Sequence, residues 1–161
     1  DGRGAQRVAA TLLAPQITLR RASRSDARRL HDWRNAPSIR AVSHNAAEIP
    51  YAEHEHWLEG VLASASRHLL IGELAGEPVG VVRFDERDDA AEVSIYLAPM
   101  RTGRGEGPAL LLAAEAWLQR ERPAVPMLRA QVQAGNTASH LLFERCGYEQ
   151  FSTQYVKRIR S

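Results

Sequence analysis

Three glycines at alternate positions, Gly103, Gly105 and Gly107, stand between a strand-like run, Glu92–Leu97 (EVSIYL), and a long apolar segment opening at Pro108. Glycine has no Cβ, so the backbone there can turn several N–H groups toward one point. The helix expected next adds the positive end of its dipole. The loop Thr102–Gly107 is therefore expected to hold a pyrophosphate. Two other phosphate loops are excluded. A dinucleotide fingerprint counted from Gly103 needs a third glycine where Pro108 stands, and a nucleoside-triphosphate loop needs a Gly-Lys pair that is absent.

Glu92, Ser94 and Tyr96 share one face of their strand by its period of two. A polar strip is unusual on a central strand. Glu92 and Ser94 are expected either to accept a proton from a reacting group or simply to hydrogen-bond within the sheet. His54-Glu55-His56 invites a metal reading, but zinc-protease spacing would need a histidine where Leu58 stands. Residues two apart on a helix also face different ways. No metal is expected, and His54 should pack with Trp57.

The elements that must position these groups alternate along the chain. Ile17–Arg21 is a strand by alternation. Ser25 is read as a helix cap with Asp26 in the first turn; this helix turns Leu30 and Trp33 inward and stops before Pro37. Pro50 opens a second helix with Trp57, Leu58, Val61 and Leu62 on its apolar face. His68–Leu74 and Val79–Asp85 form a hairpin through Ala75-Gly76-Glu77, and Glu92–Leu97 joins their sheet. Pro108–Glu121 is a helix apolar on most sides, hence buried. Leu128–Val132 is a strand. Asn136 caps a helix running to Cys146, which Gly147 stops. Tyr148–Phe151 and Tyr155–Arg160 make a closing hairpin. The order β-α-α-β-β-β-α-β-α-β-β predicts a mixed α/β domain, an open sheet with helices on both faces. Residues 1–15 are expected to be a linker or the tail of a preceding domain, with the main domain spanning 16–161.

That order, the Arg-Thr-Gly-Arg-Gly-Glu-Gly loop, and Asn136-x-x-Ser139-x-x-Leu142-Phe143-Glu144-x-Cys146-Gly147-Tyr148 together resemble the GNAT superfamily of N-acetyltransferases. The resemblance implies the GNAT fold, an open, mostly antiparallel mixed sheet of about six or seven strands with four helices on both faces. It implies an acetyl-CoA-dependent enzyme. In that family the loop binds the pyrophosphate of acetyl-CoA, and the pantetheine arm pairs with strand backbone where two strands splay apart. Carried onto this chain, the backbone contacts fall at Tyr96 and Leu97. The pyrophosphate contacts fall at Thr102, Gly103, Arg104, Gly105, Glu106 and Gly107, and Asn136 sits near the pantetheine. Phe143 stands beside the cofactor where many members carry a tyrosine general acid, and phenylalanine has no proton to give. Thr102 replaces the usual Gln or Arg, Glu106 brings a negative charge toward a dianionic group, and Pro108 removes one N–H donor. Glu92 and Ser94 become the groups that accept the amine proton.

Trp33-Arg34-Asn35, Arg40, Ser43-His44-Asn45 and His54-x-x-Trp57 resemble one branch in particular, the N-acetyltransferases of pseudaminic acid biosynthesis. They imply acetylation of the 4-amino group of a UDP-linked amino-deoxy sugar, with Arg34, Arg40, His44 and Asn45 lining the acceptor pocket. The segment Asp1–Ala9 resembles the end of a UDP-sugar hydrolase, which implies a fusion of two enzymes. A ribosomal-protein-type N-terminal acetyltransferase and a catalytically silent CoA-binding module are the alternatives.

Composition narrows the class. A length of 161 residues fits one domain. Of 21 basic residues only Lys157 is a lysine, and the arginines are scattered at a net charge of +2, so no nucleic-acid arm is read. Cys146 alone cannot form an internal disulfide. No apolar run approaches the ~18 residues of a membrane span, and no secretory segment is seen. The expected compartment is the cytoplasm.

Overall fold

The computed structural model describes residues 16–159. The expected tail at 1–15 and the hairpin end at Arg160 lie outside them. The strands are β1 (Ile17–Arg21), β2 (Arg67–Leu74), β3 (Glu77–Arg87), β4 (Ala90–Leu97) and β5 (Leu128–Arg129). The helices are α1 (Ala27–Asn35), α2 (Pro37–Arg40), α3 (Tyr51–Ala63), α4 (Glu106–Glu121) and α5 (Thr137–Arg145). The five strands form one sheet in sequence order, antiparallel from β1 to β4 and parallel between β4 and β5.

Each face of the sheet builds its own core. Leu70, Val82, Phe84 and Val93 pack on one side against Leu110, Ala114 and Trp117 of α4 and Phe143 of α5. Leu69, Ile71 and Val81 pack on the other against Leu30 of α1 and Leu58 and Val61 of α3. Burying one such side chain contributes roughly 1.5–3 kcal/mol. Two strand glycines let α4 lie close: a Cβ at Gly72 or Gly80 would come within 2.3 or 2.6 Å of the Leu110 side chain.

The entry to α1 differs from expectation. A short 3-10 turn, Arg24–Asp26, precedes it, and the cap is Ser23 rather than Ser25. Asp26 reaches back three residues to accept the Ser23 N–H at 2.8 Å, which Ser25 could not offer it. Buried Asp26 is also gripped by Arg20 at 2.7 and 2.8 Å, and that guanidinium, above all, holds its carboxyl below the usual range. Pro37 does stop α1, but it also starts the one-turn α2 from its first position.

Among the described residues the sheet has five strands, not six or seven. Tyr148 ends α5 instead of opening a strand: its N–H donates to the Phe143 carbonyl at 2.9 Å and its hydroxyl to Glu115 at 2.6 Å. Residues 149–159 have no ladder partner, and Phe151, Tyr155, Val156 and Ile159 are 84–92% exposed. The physical reason lies in β5. It pairs for two residues only, so it offers no edge on which to build a hairpin, and a hairpin alone is marginal. Strand pairing at Leu128–Val132 likewise stops at Arg129.

Candidate active site

The sheet opens between β4 and β5. They share a ladder only at Ala91↔Leu128 and Glu92↔Arg129, whereas β4 stays paired with β3 as far as Leu97. Main-chain groups of a strand point alternately to its two neighbours. The Ala91 N–H donates to Met127 at 2.9 Å, toward β5, and the Ala98 N–H donates to Val79 at 2.8 Å, toward β3. That phase turns the N–H and C=O groups of Val93, Ile95 and Leu97 into the gap. Those of Glu92, Ser94 and Tyr96 turn to β3, and the Tyr96 carbonyl crowds Gly80. Leu97 therefore faces the gap as expected. Tyr96 does not, and Ile95 takes its place.

The glycine loop follows directly. Gly103 (φ +81) and Gly105 (φ +73) are left-handed, conformations that a Cβ would strain, and Gly105 caps α4. Gly107 is ordinary helix; a Cβ there would press Leu142 of α5 at 3.4 Å. Thr102, Gly103, Arg104 and Gly105 are exposed, and the free N–H groups of the α4 N-terminus open beside them. Glu106 does not confront an incoming anion. It is buried, and Arg101 clasps it through Nε at 2.9 Å and Nη2 at 2.8 Å. A fork of this kind cancels the carboxylate charge locally. Arg101 is a site residue that the glycine spacing alone does not reveal.

The polar strip faces α1 and α3. Ser94 and Tyr96, with Leu30, Trp57, Leu69, Val81 and Arg83, line a cavity of about 40 Å³. Glu92 lies one pleat further along the same face. Arg83 stands across the ladder from Ser94 and Asp85 across from Glu92. Burial pushes the Tyr96 hydroxyl far up, so it is a neutral donor at neutral pH and no base. A larger cleft of about 350 Å³ opens beside the loop, among Arg29, Trp33, Arg101 and Arg104.

The expected acceptor-binding residues mainly hold their own loop. Arg34 Nη2 donates to the Asn45 carbonyl at 2.6 Å, and Arg40 Nε to the Ala46 carbonyl at 2.9 Å. The Asn45 side chain accepts the Ala47 N–H at 3.1 Å, and His44 is exposed. Asn35 clamps the loop's far end on Ile49, accepting its N–H and donating to its carbonyl, both at 2.9 Å. Gln133 Nε2 ties the loop to the segment after β5 through the Ser43 carbonyl at 3.1 Å. Arg34 keeps Nη1 buried and without a partner among the described residues, as does His54 with Nδ1. Burial first, then His31 and Arg34, lowers the His54 pKa. Its ring packs 5.3 Å from Trp57, and among the described residues no cluster of metal-ligating side chains exists.

At α5, the Asn136 side chain accepts the Ser139 N–H at 3.2 Å, the cap that its type predicts. Phe143 sits in the core, 8% exposed, with its ring 4.9 Å from Tyr148. The Tyr148 hydroxyl is already committed to Glu115.

A strand gap, a glycine loop at a helix start and a polar strip meet at one end of the sheet. The chain matches the acetyltransferase (GNAT) domain family over residues 16–149. It belongs to the GNAT acetyltransferases. This GNAT acetyltransferase is an acetyl-CoA-dependent enzyme. Its fold superposes on the aminoglycoside acetyltransferase AAC(6')-Ib solved with paromomycin and acetyl-CoA, at 25% identity and TM-score 0.77 over 86% of each chain. The same enzyme with coenzyme A and kanamycin gives 25% and 0.77, over 86% of this chain and 87% of that one. Spermidine N-acetyltransferase from Vibrio cholerae, solved with CoA and spermine, gives 22% identity and TM-score 0.77 over 85% of this GNAT chain and 83% of its own. That last likeness speaks for the fold alone. No curated protein matches the chain. Among the described residues no helix is long and apolar enough to cross a membrane.

Proposed function

We propose that this acetyltransferase acylates a primary amine that enters from the α1–α3 side, and that the amine is the 4-amino group of a UDP-linked amino-deoxy sugar. One observation carries the site: β4 parts from β5 after Glu92 and leaves the main chain of Ile95 and Leu97 unpaired toward the gap. Unpaired strand groups need partners, and the amides of a pantetheine arm fit them. The loop at Gly103–Gly107, with the start of α4, fits the diphosphate. Bound there, the thioester supplies an activated acetyl group.

The chain's own residues then have defined tasks. An ammonium cannot attack, so its proton must leave first; Glu92 and Ser94, on the strip facing the acceptor side, accept it directly or through water. The Leu97 or Ile95 N–H is the donor available where negative charge develops on the carbonyl oxygen. Tyr96, kept protonated, orients groups and does not deprotonate them. As the N–C bond forms, the nitrogen gives up its second proton to water, the C–S bond breaks, and the sulfur takes a proton from water. Phe143 cannot give one, and a thiol pKa near ~8.5 lets the thiolate leave without it.

The sugar acceptor is supported by the Trp33-Arg34-Asn35 and Ser43-His44-Asn45 elements, and by the match to an acetyltransferase named for aminoglycosides. The same reading has the enzyme act in the cytoplasm as the C-terminal part of a hydrolase fusion. Thiol release from acetyl-CoA, measured with a UDP-4-amino-6-deoxy sugar and with a set of N-terminal peptides, tests it. Turnover of the sugar and not of the peptides is expected; the reverse would sink the sugar acceptor.

A further inference from the structure

The acceptor pocket holds more guanidinium than its own carboxylates satisfy. Arg83 faces Ser94 across the β3–β4 ladder. Its Nε is fixed on Asp85 at 3.1 Å, and its guanidinium lies 5.5 Å from the centre of the Trp57 ring. Both Nη atoms lack a hydrogen-bond partner among the described residues. Asp85 cannot neutralise Arg83 alone, because it also takes Arg67 Nε at 3.3 Å. Glu92, the other carboxylate on this face, stands beside Arg129 of β5 in register.

Arg34 approaches from α1, one helical turn beyond the pocket residue Leu30. It holds the acceptor loop with Nη2 and leaves Nη1 buried and unpartnered among the described residues. Both guanidiniums lie near enough to the buried Tyr96 hydroxyl to favour its ionised form against the effect of burial. A buried donor without an acceptor is costly, as Arg34 Nη1 is, whereas Arg83 lines the cavity with 27% of its side chain exposed and its Nη atoms open to a ligand. Arg83 is aimed, stacked and half-satisfied, as a guanidinium that binds a phosphate or carboxylate should be.

We infer that the acceptor is an amine carried on an anionic molecule, whose phosphate or carboxylate is taken by Arg83 and Arg34 while its amine faces Glu92 and Ser94. This rests on the acetyl-transfer reading but not on the sugar nucleotide. Spermine and kanamycin, bound in two of the solved structures, are polycations that two guanidiniums would repel.

Paired acceptors that differ only in a phosphate test the inference: glucosamine 6-phosphate against glucosamine, and O-phosphoethanolamine against ethanolamine, with spermidine and kanamycin alongside. Thiol release at subsaturating acceptor is the readout. At least one phosphorylated partner should exceed its neutral twin about tenfold or more in kcat/KM, with the polycations at background. Arg83→Gln should bring that pair within about threefold, and Arg83→Lys should keep most of the preference. Coenzyme A binding by calorimetry reports whether each variant is folded. Equal or better use of neutral or cationic amines would overturn the inference. So would silence from both phosphorylated amines, or a preference that survives in a folded Arg83→Gln. If coenzyme A itself fails to bind the wild type, the acetyl-transfer reading falls with it.

Discussion

Arg101 and Glu106 close the glycine loop on itself, with two guanidinium nitrogens within 2.9 Å of a buried carboxylate. The pair turns an apparently unfavourable charge at the proposed diphosphate site into a brace for the loop. Removing the arginine leaves the buried Glu106 carboxylate charged and unpaired. Arg101→Ala should therefore lower the melting temperature by several degrees and weaken coenzyme A binding. Glu106→Gln, which keeps hydrogen-bonding capacity, should cost less on both counts. Scanning calorimetry and ligand titration check this; equal melting temperatures for Arg101→Ala and wild type would contradict it.

The left-handed glycines make a second prediction. Alanine at Gly105 (φ +73) costs roughly 1–2 kcal/mol of backbone strain and should turn the N-terminus of α4 away from the diphosphate proposed for it. Coenzyme A affinity should drop about tenfold or more. Alanine at Gly107 has no such strain and only the Leu142 contact to relieve, so it should cost less affinity. A titration in which the two substitutions behave alike would show that left-handed geometry is not what the site uses.

Glu92→Gln separates proton acceptance from binding. Loss of a general base typically costs about 10²–10⁴-fold in rate. The variant should lose kcat on that scale, keep its KM for acetyl-CoA, and recover part of its rate as pH rises and more of the amine is already neutral. A kcat within a few-fold of wild type at all pH values would reduce Glu92 to a structural residue of the sheet.

His54 links stability to pH. Its folded-state pKa lies below the ordinary value of 6.5 because it is buried near Arg34 and His31. The unfolded chain therefore binds a proton that the native protein resists. The contribution to stability is complete above 6.5 and declines as pH falls through the lowered pKa. Between pH 7.5 and 5.5 the wild type should lose more melting temperature than His54→Phe does. Parallel losses in the two proteins would contradict the assignment.

The glycine spacing, the run EVSIYL and the apolar segment after Pro108 made the loop and its two flanking elements legible, because each is a local signal. So were the Asn136 cap and the Gly147 stop. Other features depend on partners distant in sequence. Whether Ile95 or Tyr96 faces the gap is a matter of phase, which alternation cannot set until β3 and β5 are placed. Arg34 and Arg40 read as acceptor ligands, yet each commits one nitrogen to a main-chain carbonyl of the loop between α2 and α3. The alternating residues after Tyr148 carry strand propensity but meet no edge, because β5 is too short to extend the sheet.

Main-chain groups of the β4–β5 gap and the α4 N-terminus are proposed to receive coenzyme A. Amide chemical shifts of isotope-labelled protein, followed while coenzyme A is added, test this most directly. Saturable shifts centred on Ile95, Leu97, Gly105 and Gly107, with little change at Tyr96, are the predicted result. Shifts elsewhere on the sheet with these four amides unmoved, or no saturable shift at millimolar coenzyme A, would contradict it.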